Sequence, residues 1–425
     1  MADTTATVST RARKLPIIIV PGTMGSRLTD PATQDLVWNP TGFPISPLKD
    51  ASELGSFAAK LSRLEQVAQP LTPDDAHEHA SASERKKVAH IRHFHTVIRA
   101  FYGVLALRLH KDLKVLLAPQ GIFPVVYCAG YDFRVDNATS ALTLQKVVNE
   151  AQQECDGAKV TIIAHSMGGL VTRFFCKNLG GESQVNRVFL LASPTHGAPD
   201  AYFTLRNGLD FSGVRVLVFG DIFRATDSRS FARKMPSVYQ LLPSVLYGRI
   251  NPTWLSFDPT KTGLSPVPGV PVPIPALQFK DASNSVLTLL DIYTGLNDDP
   301  ELRALSGALY AGATGFDAAM SKPSGRTYMH PNTTVVFCDD LPTAAQGSVR
   351  FDGVTNVGSQ MVVRSGATDT KLAAGDSTVT TMSANPIQTE PPTVLQQRFG
   401  GIGHQDIPTA EAVMAFLVNQ IAQAP

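Results

Sequence analysis

The 425-residue sequence has few cysteines, no long apolar run and no excess of either charge. Its four cysteines lie far apart without a C-x-x-C pair, so the sequence indicates neither a zinc-binding pattern nor a dense disulfide framework. Lysine and arginine number 37 and aspartate and glutamate 36, which gives a formal net charge of +1. This balance argues against nucleic acid as a main partner, because phosphate backbones require a basic surface.

The N-terminus lacks the apolar core of a secretory signal peptide. No segment is long and apolar enough to predict a transmembrane helix. We therefore expect a cytoplasmic protein, or one that is exported without a signal peptide. We expect residues 1–14 to form a disordered polar tail.

The most informative stretch is Val160–Phe175, in which a strand-like apolar run is followed by a tight corner of small residues and then a helical pattern. Ser166 lies in the corner, and a serine on a sharp strand-to-helix turn is the nucleophile elbow of α/β-hydrolases. The usual pattern, G-x-S-x-G, needs small residues on both sides because strand and helix nearly collide; here they are Ala164 and Gly168. The pattern S-x-G-G also occurs in ordinary loops, but the flanking strand and helix favour the elbow.

Short apolar runs alternate with helical patterns over residues 15–200, and this alternation predicts an α/β fold with a mostly parallel central sheet and helices on both faces. Strands are predicted at Leu15–Val20, Phe123–Cys128, Val160–Ile163, Val188–Ala192 and, later, Thr333–Cys338. Helices are predicted at Val97–Val115, Leu142–Gln153 and Ala410–Ile421.

The regular alternation stops after Pro199, where scattered apolar segments and a Pro-rich passage begin. We interpret residues 200–330 as an inserted helical cap or lid, called the cap block below, with a helix at Ser283–Tyr293. Residues 15–199, with a loop-rich insertion at about 30–95, are predicted to form the first part of an α/β-hydrolase core. Residues 331–425 are predicted to form its second part.

The loop Pro21–Ser26 follows the first predicted strand and is made of small residues. Such a loop can direct backbone N–H groups into a cleft, although a simple tight turn is the alternative. The serine elbow downstream favours an oxyanion hole, because α/β-hydrolases take one donor from an early strand-loop.

A serine hydroxyl needs a base to take its proton, and in α/β-hydrolases an acid and then a histidine follow the serine in the chain. Three histidines follow Ser166, namely His196, His330 and His404. His404 lies after a Gly-rich loop and directly before the last predicted helix, which is the position of a flexible base.

The acid has two possible positions on this reasoning. Asp339 and Asp340 directly follow the strand that ends at Cys338, which is the usual place of the acid. Asp376 lies in a turn before a β-branched run. Spacing alone does not decide between them.

Five stretches resemble the lecithin:cholesterol acyltransferase family, which includes lysosomal phospholipase A2 and bacterial relatives. They are Pro16–Leu28 (PIIIVPGTMGSRL), Gly130–Arg134 (GYDFR), Ile163–Phe174 (IAHSMGGLVTRF), Gly375–Val379 (GDSTV) with Ser383, and His404–Ile407 (HQDI). Val37–Trp38 and Pro236–Pro243 also resemble family segments. Much of 40–120 and 200–330 is not covered by this resemblance.

The resemblance implies a Ser-Asp-His triad of Ser166, Asp376 and His404, with Asp376 chosen because G-D-S-T-V resembles the family's G-D-G-T-V. It implies oxyanion donors at the backbone N–H groups of Thr23 and Met167, and no metal or organic cofactor. The chain departs from the family at two positions: Phe133 stands where tryptophan is usual, and Ser377 where glycine is usual.

The resemblance further implies an enzyme that acts on lipid esters, glycerophospholipids first, through an acyl-serine intermediate, with water or an alcohol as acceptor. We expect Met24, Tyr131 and Asp132 to contact the substrate. Apolar segments of the cap block, Val214–Phe219 and Ser283–Tyr293, could line an acyl channel and allow transient contact with lipid surfaces. The alternatives are a small-ester carboxylesterase and a binding protein on a catalytically dead hydrolase fold, and the oligomeric state is open.

Overall fold

The computed structural model describes residues 13–39, 64, 70–73, 86, 88–207, 231–251, 255–257, 265–266, 278–280, 286–288, 300–357, 360–385, 389–390 and 394–423. In chain order the strands are β1 (Arg13–Val20), β2 (Leu28–Thr29), β3 (Leu36–Trp38), β4 (Thr72–Pro73), β5 (Ile91–Arg92), β6 (Ile122–Cys128), β7 (Val160–His165), β8 (Val185–Leu191), β9 (Leu255–Phe257), β10 (Ser265–Pro266), β11 (Gln278–Lys280), β12 (Val286–Thr288), β13 (Thr327–Tyr328), β14 (Thr333–Cys338), β15 (Leu341–Val357), β16 (Gln360–Gly375), β17 (Thr389–Glu390) and β18 (Leu395–Phe399).

The α-helices of the described residues are α1 (Val104–Leu117), α2 (Asn137–Glu154), α3 (Gly168–Asn178), α4 (Gly181–Gln184), α5 (Pro199–Asn207), α6 (Pro236–Gln240), α7 (Val245–Ile250), α8 (Pro300–Met320), α9 (Thr381–Ala384) and α10 (Glu411–Gln423). Short 3-10 helices cover Phe94–Thr96 and Ala118–Gln120, and a π-helix covers Arg99–Gly103 directly before α1. The helix predicted at Val97–Val115 is therefore α-helical only from Val104 onward.

Seven strands form the central sheet in the order β18-β14-β8-β7-β1-β6-β5, and every neighbouring pair is parallel. The apolar run of β1 lies near the middle, where Ile17 pairs with Val126 on one side and Thr161 on the other. A parallel strand covered on both faces is expected to be a continuous β-branched run, and β1 and β7 have this composition.

Two apolar clusters cover the two faces of this sheet. Ile18 and Val20 face one cluster together with residues of α2 and α3. Ile17 and Ile19, which alternate with them along β1, face the other cluster with residues of α1 and α10. The α/β fold with helices on both faces of a parallel sheet is thus confirmed.

The carboxyl ends of these strands lie at one edge of the sheet, where open α/β sheets bind their ligands. β1 runs into the Pro21–Ser26 loop, and β7 runs into the corner at Ser166. β18 ends directly before the Gly-rich loop that leads to His404. The predicted serine, its base and the predicted oxyanion loop therefore meet at the same edge.

Between β14 and β18 the chain forms a long antiparallel hairpin of β15 and β16, paired from Leu341↔Gly375 to Val357↔Gln360. The hairpin ends at Gly375, so Asp376 follows directly from its second strand.

The helix predicted at Ser283–Tyr293 is wrong at Val286–Thr288, which forms strand β12 and pairs antiparallel with β11. Valine and threonine favour a strand where a neighbouring chain segment offers backbone partners, and Gln278–Lys280 offers them. The rest of that predicted helix, and the apolar segment Val214–Phe219, lie outside the described residues. No helix in the described parts of the chain combines the length and apolar character that a membrane span requires.

Candidate active site

Ser166 occupies the sharp corner between β7 and α3 with a positive φ of 51°, a conformation that L-residues rarely adopt. The corner requires very small neighbours. A Cβ at Gly168 would lie 2.4 Å from the carbonyl oxygen of Pro21, and Ala164 is fully buried. This close approach of Gly168, the third residue after β7, to Pro21, the first residue after β1, holds Ser166 at the edge of the sheet.

Ser166, His404 and Asp376 form one hydrogen-bonded line. The Ser166 Oγ lies 2.9 Å from His404 Nε2, and His404 Nδ1 lies 2.8 Å from Asp376 Oδ2. The carboxylate can only accept, so the Nδ1 of His404 carries the proton and its Nε2 is free to accept the serine hydroxyl proton. His404 and Asp376 are almost completely buried.

The loop that carries Asp376 is organised around its carboxylate. Asp376 Oδ1 accepts the backbone N–H groups of Thr378 and Val379 at 3.0 and 2.7 Å. The backbone N–H of His404 donates to the Asp376 carbonyl oxygen at 2.8 Å, so the two loops are tied to each other. Ser377, which stands where the resembling family has glycine, has a φ of 81°.

The other two candidate acids lie elsewhere. Asp339 forms an ion pair with Arg398, and Asp340 accepts the backbone N–H of Gly401. Of the three aspartates, the structure brings Asp376 to His404.

The two predicted oxyanion donors, Thr23 and Met167, lie side by side. The Thr23 hydroxyl donates to the Met167 sulfur at 3.4 Å. Within the described residues, neither backbone N–H donates a hydrogen bond to a protein acceptor. Met167 begins the turn into α3, where the helix leaves its first N–H groups unpaired. Both groups are therefore available to a ligand beside Ser166.

The Pro21–Ser26 loop is fixed by contacts from three other segments. Trp38 Nε1–H donates to the Met24 carbonyl oxygen at 3.1 Å, and the Tyr131 hydroxyl donates to the Pro21 carbonyl oxygen at 2.9 Å. The backbone N–H of Ile98 donates to the Gly25 carbonyl oxygen at 2.9 Å. The loop thus has a defined shape rather than that of a free surface turn.

Of the three residues predicted to contact substrate, Met24 lines the cavity described below, whereas Tyr131 and Asp132 do not. Tyr131 is buried and holds Pro21. Asp132 forms a two-pronged ion pair with Arg134 and accepts the backbone N–H of Leu71. For Tyr131 and Asp132, a role in supporting the Pro21–Ser26 loop and its surroundings fits this geometry better than the predicted substrate contact.

A cavity of about 220 Å³ opens beside Ser166 and His404. Its wall is mostly apolar. It receives side chains from the Pro21–Ser26 loop, from the π-helix and the residue before it, and from residues 200–330, namely Met24, Ile98, Phe101, Ala201, Val238 and Leu241. Polar side chains of Asp200, Thr204 and Gln405 also reach it. Such a wall suits an apolar chain attached to a polar reacting group.

Tyr102 and His165 are among the residues of this wall that the sequence analysis did not identify. His165 directly precedes Ser166 in the chain, and this position in the elbow is the one sequence feature that could have placed it in the candidate site. Burial, and then the electrostatic effect of the neighbouring His404, lowers the pKa of His165 well below its ordinary value, so this imidazole is neutral. Within the described residues, no group of three or more His, Cys, Asp or Glu side chains could hold a metal ion.

Comparison with known proteins finds a partial match to the family that the motifs resemble. The model of the family described as lecithin:cholesterol acyltransferase matches residues 117–262. The chain resembles the lecithin:cholesterol acyltransferase family. The matched range contains the elbow with Ser166 and ends before Asp376 and His404.

The chain is also similar to phospholipase A(1) LCAT3 of Arabidopsis thaliana, with 43% identity over 75 residues. The aligned stretch spans 16% of this chain and 17% of the plant protein. The similarity to this lecithin:cholesterol acyltransferase relative is thus strong but short.

Among solved structures, the crystal structure of the Tle4–Tli4 complex contains a chain that aligns with a TM-score of 0.64 and 18% identity, covering 96% of this chain and 98% of that one. The mature form of Bacillus licheniformis lipase BlEst2 aligns with a TM-score of 0.37 and 12% identity over 97% of this chain and 92% of its own. The α/β-hydrolase fold, predicted from the serine elbow and the alternation of strands and helices, is confirmed.

Proposed function

We propose that this chain is a serine hydrolase or acyltransferase that acts on lipid-type carboxylic esters through an acyl-serine intermediate. The observation that carries the proposal is the hydrogen-bonded line of Ser166, His404 and Asp376 beside an apolar cavity. The similarity to the lecithin:cholesterol acyltransferase family and to a plant phospholipase A(1) favours lipid esters, with glycerophospholipids first.

In the proposed reaction, Ser166 Oγ attacks the ester carbonyl carbon while His404 Nε2 takes the hydroxyl proton. The negative oxygen of the tetrahedral intermediate accepts the N–H groups of Thr23 and Met167, each worth roughly 3 kcal/mol. The carbon–oxygen bond to the alcohol then breaks, and the alcohol leaves with the proton from His404. Asp376 holds the Nδ1–H of the imidazole and stabilises its charged form throughout.

Water or a second alcohol then attacks the acyl-serine carbonyl carbon. His404 takes the proton of this acceptor and returns it to Ser166 Oγ as the acyl–oxygen bond breaks. Water releases a free fatty acid, and an alcohol releases a new ester. The same residues therefore serve hydrolysis and transfer.

We also propose that the cap block covers the cavity and meets the lipid surface. Its described residues Ala201, Thr204, Val238 and Leu241 line the cavity, which supports this assignment. Each acyl methylene buried against such a wall stabilises the complex by about 0.8 kcal/mol. The ratio kcat/KM should therefore rise with acyl chain length until the cavity is filled.

Replacing Ser166 with alanine tests the function. The variant should fold and lose at least about 10⁴-fold of the turnover of p-nitrophenyl butyrate and phosphatidylcholine, because the nucleophile and base act as a unit. Ser183→Ala, which changes an exposed serine bonded to the Gly180 carbonyl oxygen, is the matched control and should keep full activity. Persistence of ester turnover in the Ser166 variant would contradict the proposal.

The same assays separate the alternatives. A series of p-nitrophenyl esters from acetate to palmitate is expected to show increasing kcat/KM with chain length, with hydrolysis of phosphatidylcholine read by mass spectrometry. An optimum at acetate with phospholipid untouched identifies a small-ester carboxylesterase. Absence of both turnover and labelling by a fluorophosphonate at Ser166 identifies a binding protein on a hydrolase fold.

A further inference from the structure

Tyr102 and His165 form a buried line between two parts of the candidate site. Their side chains are 3% and 6% exposed. The backbone N–H of Gly22 lies 2.9 Å from the Tyr102 hydroxyl, which lies 2.7 Å from His165 Nδ1. His165 Nε2 in turn lies 3.0 Å from the carbonyl oxygen of His404. The line therefore begins in the Pro21–Ser26 loop and ends on the backbone of the proposed base.

Each hydrogen bond in this line has one possible direction. The carbonyl oxygen of His404 only accepts, so His165 Nε2 carries the proton. The buried imidazole is neutral, which leaves its Nδ1 as an acceptor. The Tyr102 hydroxyl therefore donates to Nδ1, and its oxygen accepts the N–H of Gly22. Burial also raises the pKa of Tyr102, which keeps this hydroxyl protonated.

The two ends of the line must keep a fixed separation during ester cleavage. Gly22 directly precedes Thr23, whose N–H is a proposed oxyanion donor. A Cβ at Gly22 would lie 2.8 Å from the Ser166 Cβ and 3.2 Å from His165 Nδ1, so this loop packs directly against the elbow. In the proposed reaction the Thr23 N–H binds the carbonyl oxygen of the ester, and His404 takes the proton of the Ser166 hydroxyl that attacks the same carbonyl group. A shift of about 1 Å in either position can lower the rate by about 10²-fold.

We propose that Tyr102 and His165 are positioning residues that hold the oxyanion loop and the base, His404, at one separation during the proposed acyl transfer. The proposal rests on the proposed function of Ser166, since it assigns these two residues to the same reaction. Neither residue exchanges a proton with the substrate. Their role is to keep Thr23 and His404 aligned with Ser166 Oγ.

The test is Tyr102→Phe, which removes the hydroxyl from the line and keeps the ring in the cavity wall. With p-nitrophenyl butyrate, kcat should fall by about 10- to 100-fold, while KM stays within about threefold. Labelling of Ser166 by a fluorophosphonate should slow by a similar factor, because it uses the same donors and base. Tyr328→Phe is the matched control: it removes a hydroxyl bonded to Glu182 at 2.7 Å, outside the cavity wall, and should leave kcat unchanged.

His165→Asn and the double variant complete the experiment, with thermal unfolding as the check on folding. If Tyr102 and His165 act through the same chain of hydrogen bonds, kcat of the double variant should fall by about as much as kcat of the single variant with the larger loss. Losses that multiply, an unchanged kcat in Tyr102→Phe, or an equal loss in Tyr328→Phe would each overturn the inference. If Tyr102→Phe does not fold, His165→Asn measured against Tyr328→Phe decides by the same kcat and KM criteria.

The outcome distinguishes this inference from the function on which it rests. Wild-type turnover that depends on Ser166, together with unaffected positioning variants, overturns the positioning role alone. Wild-type protein without Ser166-dependent turnover overturns the proposed function and the positioning role together.

Discussion

The backbone conformation of Ser377 indicates the shape of the loop that carries Asp376. Its φ of 81° lies in the region that favours glycine, and glycine is the residue usual at this position in the resembling family. A left-handed conformation costs an L-residue about 1–2 kcal/mol. The backbone N–H of Ser377 bonds to the Thr343 hydroxyl at 2.9 Å, and that contact helps to hold the loop in this conformation. The loop shape that directs Asp376 to His404 is therefore retained despite the substitution.

The proposed role of Asp376 as the acid gives a prediction at the scale of single residues. Asp376→Asn should lower kcat by about four orders of magnitude, because an amide no longer stabilises the tautomer of His404 that leaves Nε2 free. Asp339→Asn and Asp340→Asn should stay within about threefold of the wild type, since neither touches His404. The measurement is kcat on p-nitrophenyl butyrate. The opposite ranking would assign the acid to the end of β14.

At the scale of elements, the elbow could be predicted from sequence because its signal is local. A strand, a small-residue corner and a helix follow one another within sixteen residues, Val160–Phe175. Tyr102 had no such signal, because its partners Gly22 and His165 lie 80 and 63 residues away in the chain. The sequence did not decide which aspartate is the candidate acid for a related reason. The β15–β16 hairpin separates the end of β14 from Asp376 in the chain, and spacing alone does not reveal that the hairpin brings Asp376 back next to β14.

Gly168 tests the close approach of β1 and α3. A Cβ at this position would lie 2.4 Å from the Pro21 carbonyl oxygen, so Gly168→Ala must push the elbow and the Pro21–Ser26 loop apart. We expect the free energy of unfolding to drop by about 1–3 kcal/mol and kcat to fall at least about tenfold.

The matched control is Gly312→Ala in α8, where an added Cβ meets no atom within 4 Å. Alanine in an exposed helix interior should instead raise the free energy of unfolding by about 0.5–1 kcal/mol and leave kcat unchanged. Urea unfolding and esterase assays measure both variants. Equal effects of the two substitutions would show that the Gly168 contact has no special importance.

At the scale of the whole molecule, buried histidines link stability to pH. His196 is fully buried, and neither of its ring nitrogens has a hydrogen-bond partner among the described residues. Burial, and then the positive charge of Arg173, lowers the pKa of His196 from 6.5 to about 3. The unfolded chain therefore takes up a proton at this histidine near pH 6.5, whereas the native protein does so only near pH 3.

It follows that the stability tied to His196 is complete above about pH 6.5 and is lost as the pH falls toward 3. Between pH 7 and pH 5 this one group should lower the free energy of unfolding by about 2 kcal/mol. In His196→Gln, which does not titrate, the decrease over the same interval should be smaller by about that amount. Urea unfolding at the two pH values gives both decreases. If they are equal, His196 is not the source of the acid sensitivity.

The β15–β16 hairpin carries its tip far from its root beside Asp376. Its paired strands extend from Leu341↔Gly375, next to Asp376, to Val357↔Gln360 at the tip. Seventeen residues of strand, at about 3.3 Å each, place that tip roughly 50 Å along the ribbon from its root. Insertions, deletions and changes of charge at the tip therefore leave the root unaltered.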